Sequence, residues 1–77
     1  MEIKILGSGC SKCKTLEKLT RDVVEKNGID ATVTKVEDIY QIMRYGVMTT
    51  PALVVDEKVV VKGRIPSFDE IKQLLTN

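Results

Sequence analysis

The sequence contains no histidine and no tryptophan, only two cysteines and two prolines, and almost no excess charge. Without histidine, Ser-His and Cys-His nucleophile pairs, two-histidine iron sites and every histidine-containing zinc site are excluded. The net charge of +1 argues against a domain held on nucleic acid by phosphate contacts, and against a polybasic membrane-surface module. The longest uninterrupted apolar run is Ala52–Val55, which is too short for a membrane span or the core of a secretory leader.

The length and the residue patterns predict one domain that spans residues 1–77. Alternating or β-branched runs predict four short strands, at 2–6, 31–36, 52–55 and 58–62. The last two flank Asp56-Glu57 and are typical of a β-hairpin. Three helices are predicted between and after these strands, which gives the order β-α-β-α-β-β-α. This order indicates an α/β fold in which a four-stranded mixed sheet is flanked by three helices.

The three predicted helices differ in length and in their apolar faces. The first ends at Asn27-Gly28, and its apolar face comprises Cys13, Leu16, Leu19, Thr20 and Val23. The second is short, begins after Asp38 and ends at Gly46, and we expect its buried stripe to consist of Ile39, Ile42 and Met43. The third begins after Ser67, at a capping-box pattern.

The two cysteines lie in the motif Cys10-Ser11-Lys12-Cys13, at the junction of the first strand and the first helix. Unpaired backbone N–H groups and the helix dipole favour a thiolate there, and the thiolate is the nucleophilic form of cysteine. We therefore infer that Cys10 attacks first and that Cys13, on the apolar face, resolves the mixed disulfide. Lys12 adds positive charge and is a candidate for tuning the thiol pKa.

Three other roles of the cysteine pair are compatible with its spacing. A structural disulfide in so short a loop would contribute roughly 2 kcal/mol, so a purely structural role is weakly motivated. Two thiolates could instead hold a soft metal such as Cu(I) in a metal-trafficking module. Such modules usually carry methionine where this chain has Ser8, and they end in a strand rather than a helix. A non-catalytic binding module is the third alternative, although binding alone does not need the second cysteine.

With Thr49-Thr50-Pro51 before the third strand, the motif Cys10-Ser11-Lys12-Cys13 gives the chain its resemblance to the thioredoxin superfamily. The resemblance covers essentially the whole chain and is closest to small prokaryotic thioredoxin- and glutaredoxin-like redox-active disulfide proteins. It implies the minimal thioredoxin fold and a thiol–disulfide oxidoreductase. It also implies that Pro51 is a cis-proline beside the disulfide, that the Thr50 backbone pairs with an extended substrate, and that Gly63 lines the same groove.

The chain departs from the best-known members of this superfamily around its cysteines. It lacks the aromatic and Gly-Pro residues of thioredoxins, the Pro-Tyr pair of glutaredoxins and their glutathione-binding Gly-Gly-x-Asp pattern. These departures favour a dedicated disulfide reductase that acts on protein disulfides and receives electrons from a reductase. We expect no cofactor and no bound metal, because the disulfide is itself the redox centre. We also expect a cytoplasmic monomer, although the valine-rich hairpin could self-associate through an exposed edge.

Overall fold

The computed structural model describes residues 1–7 and 11–76, so Cys10 lies outside the described residues. The elements are β1 Glu2–Leu6, α1 Ser11–Lys26, β2 Thr32–Val36, α2 Ile39–Arg44, β3 Ala52–Val55, β4 Lys58–Lys62 and α3 Phe68–Thr76. The predicted order of strands and helices is confirmed. The second strand begins at Thr32, one residue later than the sequence pattern predicts.

The four strands form one sheet in the order β2-β1-β3-β4. β1 and β2 are parallel, as expected for two strands joined by a helix. β1 pairs antiparallel with β3, and β3 pairs antiparallel with β4 through the predicted hairpin. The predicted four-stranded mixed sheet is therefore confirmed, and its central strands are β1 and β3.

Alternate residues of the central strands point to opposite faces of the sheet, and apolar residues point to both. Helices therefore pack on both faces. The core between the sheet and the α1/α3 pair comprises Ile3, Ile5, Leu16, Val23, Leu53, Val61, Ile71 and Leu75. The core on the α2 side is smaller and comprises Leu6, Val36, Ile42, Val47, Ala52 and Val54. The molecule is thus a three-layer α/β arrangement, with two helices on one face and a single short helix on the other.

The helix termini largely follow the sequence signals. Gly28 has φ +60°, the left-handed conformation expected where α1 ends. The Asp38 carboxylate accepts a hydrogen bond from the Tyr40 backbone N–H, and Ser67 Oγ accepts one from the Glu70 N–H at 3.2 Å. These side chains satisfy backbone donors that the first turn of a helix leaves unpaired.

The expectation of a three-residue buried stripe on α2 is wrong for two of its members. Ile42 is 5% exposed, whereas Ile39 is 64% exposed and Met43 is 59% exposed. The helix has six residues, and only the side of it that carries Ile42 meets the sheet. Ile39 and Met43 therefore belong to an exposed apolar surface. In the described ranges, no helix combines the length and apolar character needed to cross a membrane.

Candidate active site

The last residues of β1 and β4 and the first residue of β3 lie side by side at one end of the sheet. Leu6 of β1 pairs with Ala52 of β3, and Ala52 pairs with Lys62 of β4. The residues adjoining these pairs at that end of the sheet are Gly7, Pro51 and Gly63. The register therefore brings together three positions that are far apart in the sequence, and α1 begins beside them.

Cys13 lies in the first turn of α1 and is 2% exposed, as its position on the apolar face predicts. Its sulfur lies against Gly7, so closely that a Cβ atom built on Gly7 would overlap it. The same Cβ position is 3.9 Å from the Cβ of Thr50. Cys13, the end of β1 and the segment before β3 therefore meet at one place.

The Thr50–Pro51 peptide bond is cis. Pro51 is buried, whereas Thr50 is exposed at the surface of the same segment. The Gly63 backbone N–H donates to the Pro51 carbonyl oxygen at 2.9 Å, which ties the loop after β4 to this segment. Cys13, Thr50, Pro51 and Gly63 are thus neighbours, while their roles in substrate binding and catalysis stay predictions.

Glycine is needed at position 63 for two reasons. Its φ is +74°, a conformation that residues with a side chain rarely adopt. A Cβ atom there would also lie 2.9 Å from Thr49 Oγ1. A side chain at this position would therefore disturb the contact between the loop after β4 and the Thr49–Pro51 segment.

An ion pair anchors the loop that contains Gly63. The guanidinium of Arg64 donates two hydrogen bonds to the Glu70 carboxylate of α3, one of them from Nη1 to Oε1 at 2.9 Å. This pairing lowers the pKa of Glu70 and raises that of Arg64. The loop is therefore held between α3 on one side and Pro51 on the other.

Lys12 lies in the first turn of α1 and is exposed. Its predicted influence on the thiol pKa stays a prediction. Cys10, the predicted nucleophile, directly precedes α1 in the sequence and lies outside the described residues. Its role also stays a prediction.

A groove of about 280 Å³ begins at Thr50 and runs along α2. Its lining residues are Glu37, Ile39, Ile42, Met43, Val47, Met48 and Thr50. The lining is largely apolar, and Met48 is 91% exposed. The unexpected exposure of Ile39 and Met43 therefore places an apolar surface next to the predicted substrate-binding segment.

Within residues 1–7 and 11–76, no three His, Cys, Asp or Glu side chains cluster as a metal site would require. The soft-metal alternative depends on Cys10 together with Cys13, and no observation on the described residues favours it.

Two contacts of this region were not predicted from the sequence. Thr49 contacts Gly63, and Gly7 contacts the Cys13 sulfur. The sequence pattern assigns no role to Gly7, because a glycine does not reveal which distant side chain will occupy the space beside it. The combination of a strand end, a glycine and a CxxC pair is visible in the sequence, but the contact between Gly7 and Cys13 cannot be inferred from it without the strand register.

Comparison with known proteins assigns the chain to a family. A family model described as a thioredoxin domain matches residues 1–76. A thioredoxin of Methanothermobacter thermautotrophicus is 41% identical over 76 residues, which cover 99% of both chains. A thioredoxin of Methanocaldococcus jannaschii is 41% identical over 73 residues, covering 95% of this chain and 84% of that protein. The match covers nearly the whole chain, and the structure has a four-stranded mixed sheet, a cis Thr50–Pro51 bond and a buried cysteine at the start of α1. The chain therefore belongs to the thioredoxin domain family.

Proposed function

We propose that the protein is a thiol–disulfide oxidoreductase that reduces disulfides of other proteins with Cys10 and Cys13 and without a cofactor. Membership of the thioredoxin domain family supports the reaction class. The observation that carries the assignment to particular residues is the position of the Cys13 sulfur. It is buried at the start of α1, against the end of β1 and beside the segment that contains the cis Thr50–Pro51 bond.

The proposed reaction has two thiol–disulfide exchanges. The Cys10 thiolate attacks one sulfur of the substrate disulfide, forms a mixed disulfide and releases the other substrate sulfur as a thiolate, which takes up a proton. The Cys13 thiolate then attacks the Cys10 sulfur, forms the Cys10–Cys13 disulfide and releases the second substrate thiolate. Two electrons pass to the substrate, and a reductase returns the protein to the dithiol form.

The charge distribution at the start of α1 supports thiolate formation. The first turn of this helix contains no acidic residue, and Lys12 and Lys14 are both exposed there. Lysines near the positive end of a helix dipole are unfavourable on their own, and a neighbouring anion reverses that effect. A thiolate at Cys10 or Cys13 would supply this anion.

The surface around Thr50 supports binding of an extended protein segment. Thr50 is exposed directly before Pro51 and offers backbone groups to a substrate strand, and the hydrogen bond from the Gly63 N–H to the Pro51 carbonyl oxygen holds this segment in place. The groove beside Thr50 would receive an apolar side chain near the substrate disulfide. Met43 and Met48 suit this purpose, because methionine side chains adapt to differently shaped partners.

We also propose that residues 1–77 form a single domain that acts as a cytoplasmic monomer. The exposed edge strand β4 has Lys58 at one end and Lys62 at the other, and both are exposed. If two copies paired antiparallel about Val60, each Lys58 would face the other copy's Lys62. Like charges directly opposite each other disfavour such pairing, and edge lysines are a common means of preventing it.

Substrate trapping tests this function. In a Cys13→Ser variant, Cys10 can still attack a disulfide, but the second exchange is blocked. We expect the variant to accumulate a covalent adduct with a peptide that contains one disulfide, whereas the wild-type protein releases two peptide thiols. Intact mass before and after treatment with dithiothreitol measures the adduct.

A Cys10→Ser variant is the matched control and should form no adduct, because the remaining cysteine is buried. A Cys13→Ser protein that binds the peptide without a covalent adduct would contradict the proposal and favour a non-catalytic binding module. Tight binding of Cu(I) by the wild-type protein, without any exchange with the peptide, would favour the metal-trafficking alternative.

A further inference from the structure

Gly7 is a buried glycine whose backbone conformation does not explain it. It follows β1, and its N–H donates to the Val36 carbonyl oxygen at 3.0 Å, which continues the pairing of β1 with β2. The described glycines with positive φ are Gly28, Gly46 and Gly63. The φ of Gly7 is outside the region that favours glycine, so the reason for a glycine at this position must be space.

The sulfur of Cys13 occupies the space where a side chain of residue 7 would begin. A Cβ atom on Gly7 would lie 3.0 Å from the Cys13 Cβ, and nearer still to Sγ, at a separation that real Cβ atoms essentially never show. On its other side it would meet the Thr50 Cβ at 3.9 Å. By contrast, a Cβ atom on Gly28 would have no neighbour within 4 Å.

Cys13 has little freedom to yield to such a side chain. It lies on α1, whose Leu16 and Val23 are fully buried in the larger core. A shift of α1 would therefore disturb that core, and close packing makes such shifts costly. A shift of a few tenths of an ångström can relieve the contact with the Cys13 Cβ, but the nearer contact with Sγ requires the side chain to rotate to another staggered rotamer, which moves the sulfur away from position 7.

We propose that Gly7 is a positioning residue for Cys13. It leaves open the space from which the Cys13 sulfur attacks the mixed disulfide, a step that belongs to the function proposed above. In that step the Cys13 thiolate forms a bond to the Cys10 sulfur, and the substrate thiolate leaves. A side chain at position 7 displaces the attacking sulfur, so it slows the second exchange and spares the first.

The two exchanges can be timed separately with the chromogenic disulfide dithiobis(nitrobenzoate). Attack by Cys10 releases one nitrothiobenzoate, and attack by Cys13 on the resulting mixed disulfide releases the second. In Gly7→Ala we expect the first release to stay within about twofold of wild type and the second to slow by about tenfold or more, since a small displacement of a reacting atom has effects of this size. Gly28→Ala, at the other end of α1, is the control for a general disturbance of this helix: its positive φ strains an alanine, but the new Cβ atom meets no neighbour within 4 Å, so neither rate should change.

A second release at the wild-type rate in Gly7→Ala would overturn the proposal. Equal slowing of both releases would overturn it as well, because the effect would then be a general disturbance of the fold. If the wild-type protein released only one equivalent, the proposed function would fail and the positioning role would fail with it.

Unfolding in urea provides a readout that does not depend on redox activity. Gly7→Ala should lower the urea midpoint of the wild-type protein, and much less that of a Cys13→Ala protein, because the sulfur that the new methyl group meets is absent there. Equal losses in the two backgrounds would overturn the proposed contact. The two losses of urea midpoint can differ even if the wild-type protein performs no second exchange. In that case the contact between position 7 and the Cys13 sulfur is supported, and only the proposed function is wrong.

Discussion

Lys4 is the centre of a polar network on the side of the sheet that faces α2. Its Nζ donates to Tyr45 Oη at 2.8 Å and to Glu57 Oε1 at 2.9 Å, and the Tyr45 hydroxyl donates to Glu57 Oε2 at 3.0 Å. The hydrogen bond to Tyr45, together with those to the carboxylates, raises the pKa of Lys4. The bonds from Lys4 and then Tyr45 lower the pKa of Glu57. The network connects β1, the end of α2 and the hairpin.

This network predicts a pH dependence of stability that involves Glu57. Since its pKa in the folded protein is below the ordinary value of 4.5, the unfolded chain binds more protons in that range. The stabilisation by the Glu57 carboxylate is therefore present above pH 4.5 and is lost as the pH falls through the folded-state pKa. We expect Glu57→Gln to lower the urea midpoint at pH 7 and to have a smaller effect at pH 3.

Glu25→Gln, on the exposed face of α1, controls for the removal of one negative charge. Because Glu57 is at the surface, added salt should reduce the difference between wild type and Glu57→Gln at pH 7. A difference of the same size at pH 7 and pH 3 would contradict the assignment of this effect to the carboxylate.

Contacts between individual residues are the feature that the sequence predicts least well. Two partners of Lys4, Tyr45 and Glu57, lie 41 and 53 positions away along the chain, and the close contact of Gly7 with Cys13 depends on how α1 packs on the sheet. Local periodicity carries no information on such distances. The chemistry of the cysteine motif could be inferred nevertheless, because its spacing and its place at a helix start are local properties.

The hairpin between β3 and β4 illustrates what can be predicted at the scale of an element. Its position follows from two apolar runs that flank Asp56-Glu57. Both turn residues have positive φ, 49° and 70°, a conformation usually filled by Asn-Gly or Asp-Gly. Here the Asp56 carboxylate accepts a hydrogen bond from the Glu2 N–H at 2.9 Å, and Glu57 binds Lys4. These contacts offset the unfavourable backbone conformation, and the sequence pattern did not reveal them.

The short helix α2 differs more from the sequence prediction. Spacing along the helix suggested three buried residues, whereas only Ile42 enters the core. All three residues would be buried only if another element packed along the whole apolar stripe of α2. On this side of the described sheet α2 is the only helix, so the part of its stripe that faces away from the sheet stays exposed.

A pair of substitutions on α2 tests this difference. Ile42→Ala should reduce the free energy of unfolding by about 2–4 kcal/mol, because it removes a buried side chain from the smaller core. Met43→Ala, one position along the same helix, should change it by less than about 0.5 kcal/mol. Urea unfolding at pH 7 measures both values.

Met43→Ala should nevertheless lower activity, although it leaves stability nearly unchanged. Met43→Ala should weaken reduction of a peptide disulfide that carries an apolar neighbour, through a higher KM, because Met43 lines the groove beside Thr50. Equal stability losses for the two variants would mean that Met43 is packed as tightly as Ile42, contrary to its exposure.

At the scale of the whole molecule, the sheet register assembles the site. Cys13 and Pro51 are distant in sequence, yet the pairing of Leu6 with Ala52 places the ends of β1 and β3 side by side. Element order and the parallel β1–β2 pair could be predicted from patterns and from the handedness of the crossover. The gathering of Thr50, Pro51 and Gly63 around the cysteines was implied by the family resemblance and not by periodicity, since nothing local relates these positions.

The proposed function requires that Cys10 and Cys13 form a reversible redox couple. The most direct measurement is a redox titration in dithiothreitol buffers, with the free thiols counted by mass after alkylation. We expect a single reversible two-electron transition between a form with both cysteines alkylated and a form with neither, with a midpoint of about −270 mV if the protein acts as a thioredoxin-type reductant. Failure to form an intramolecular disulfide at any potential would contradict the proposed function.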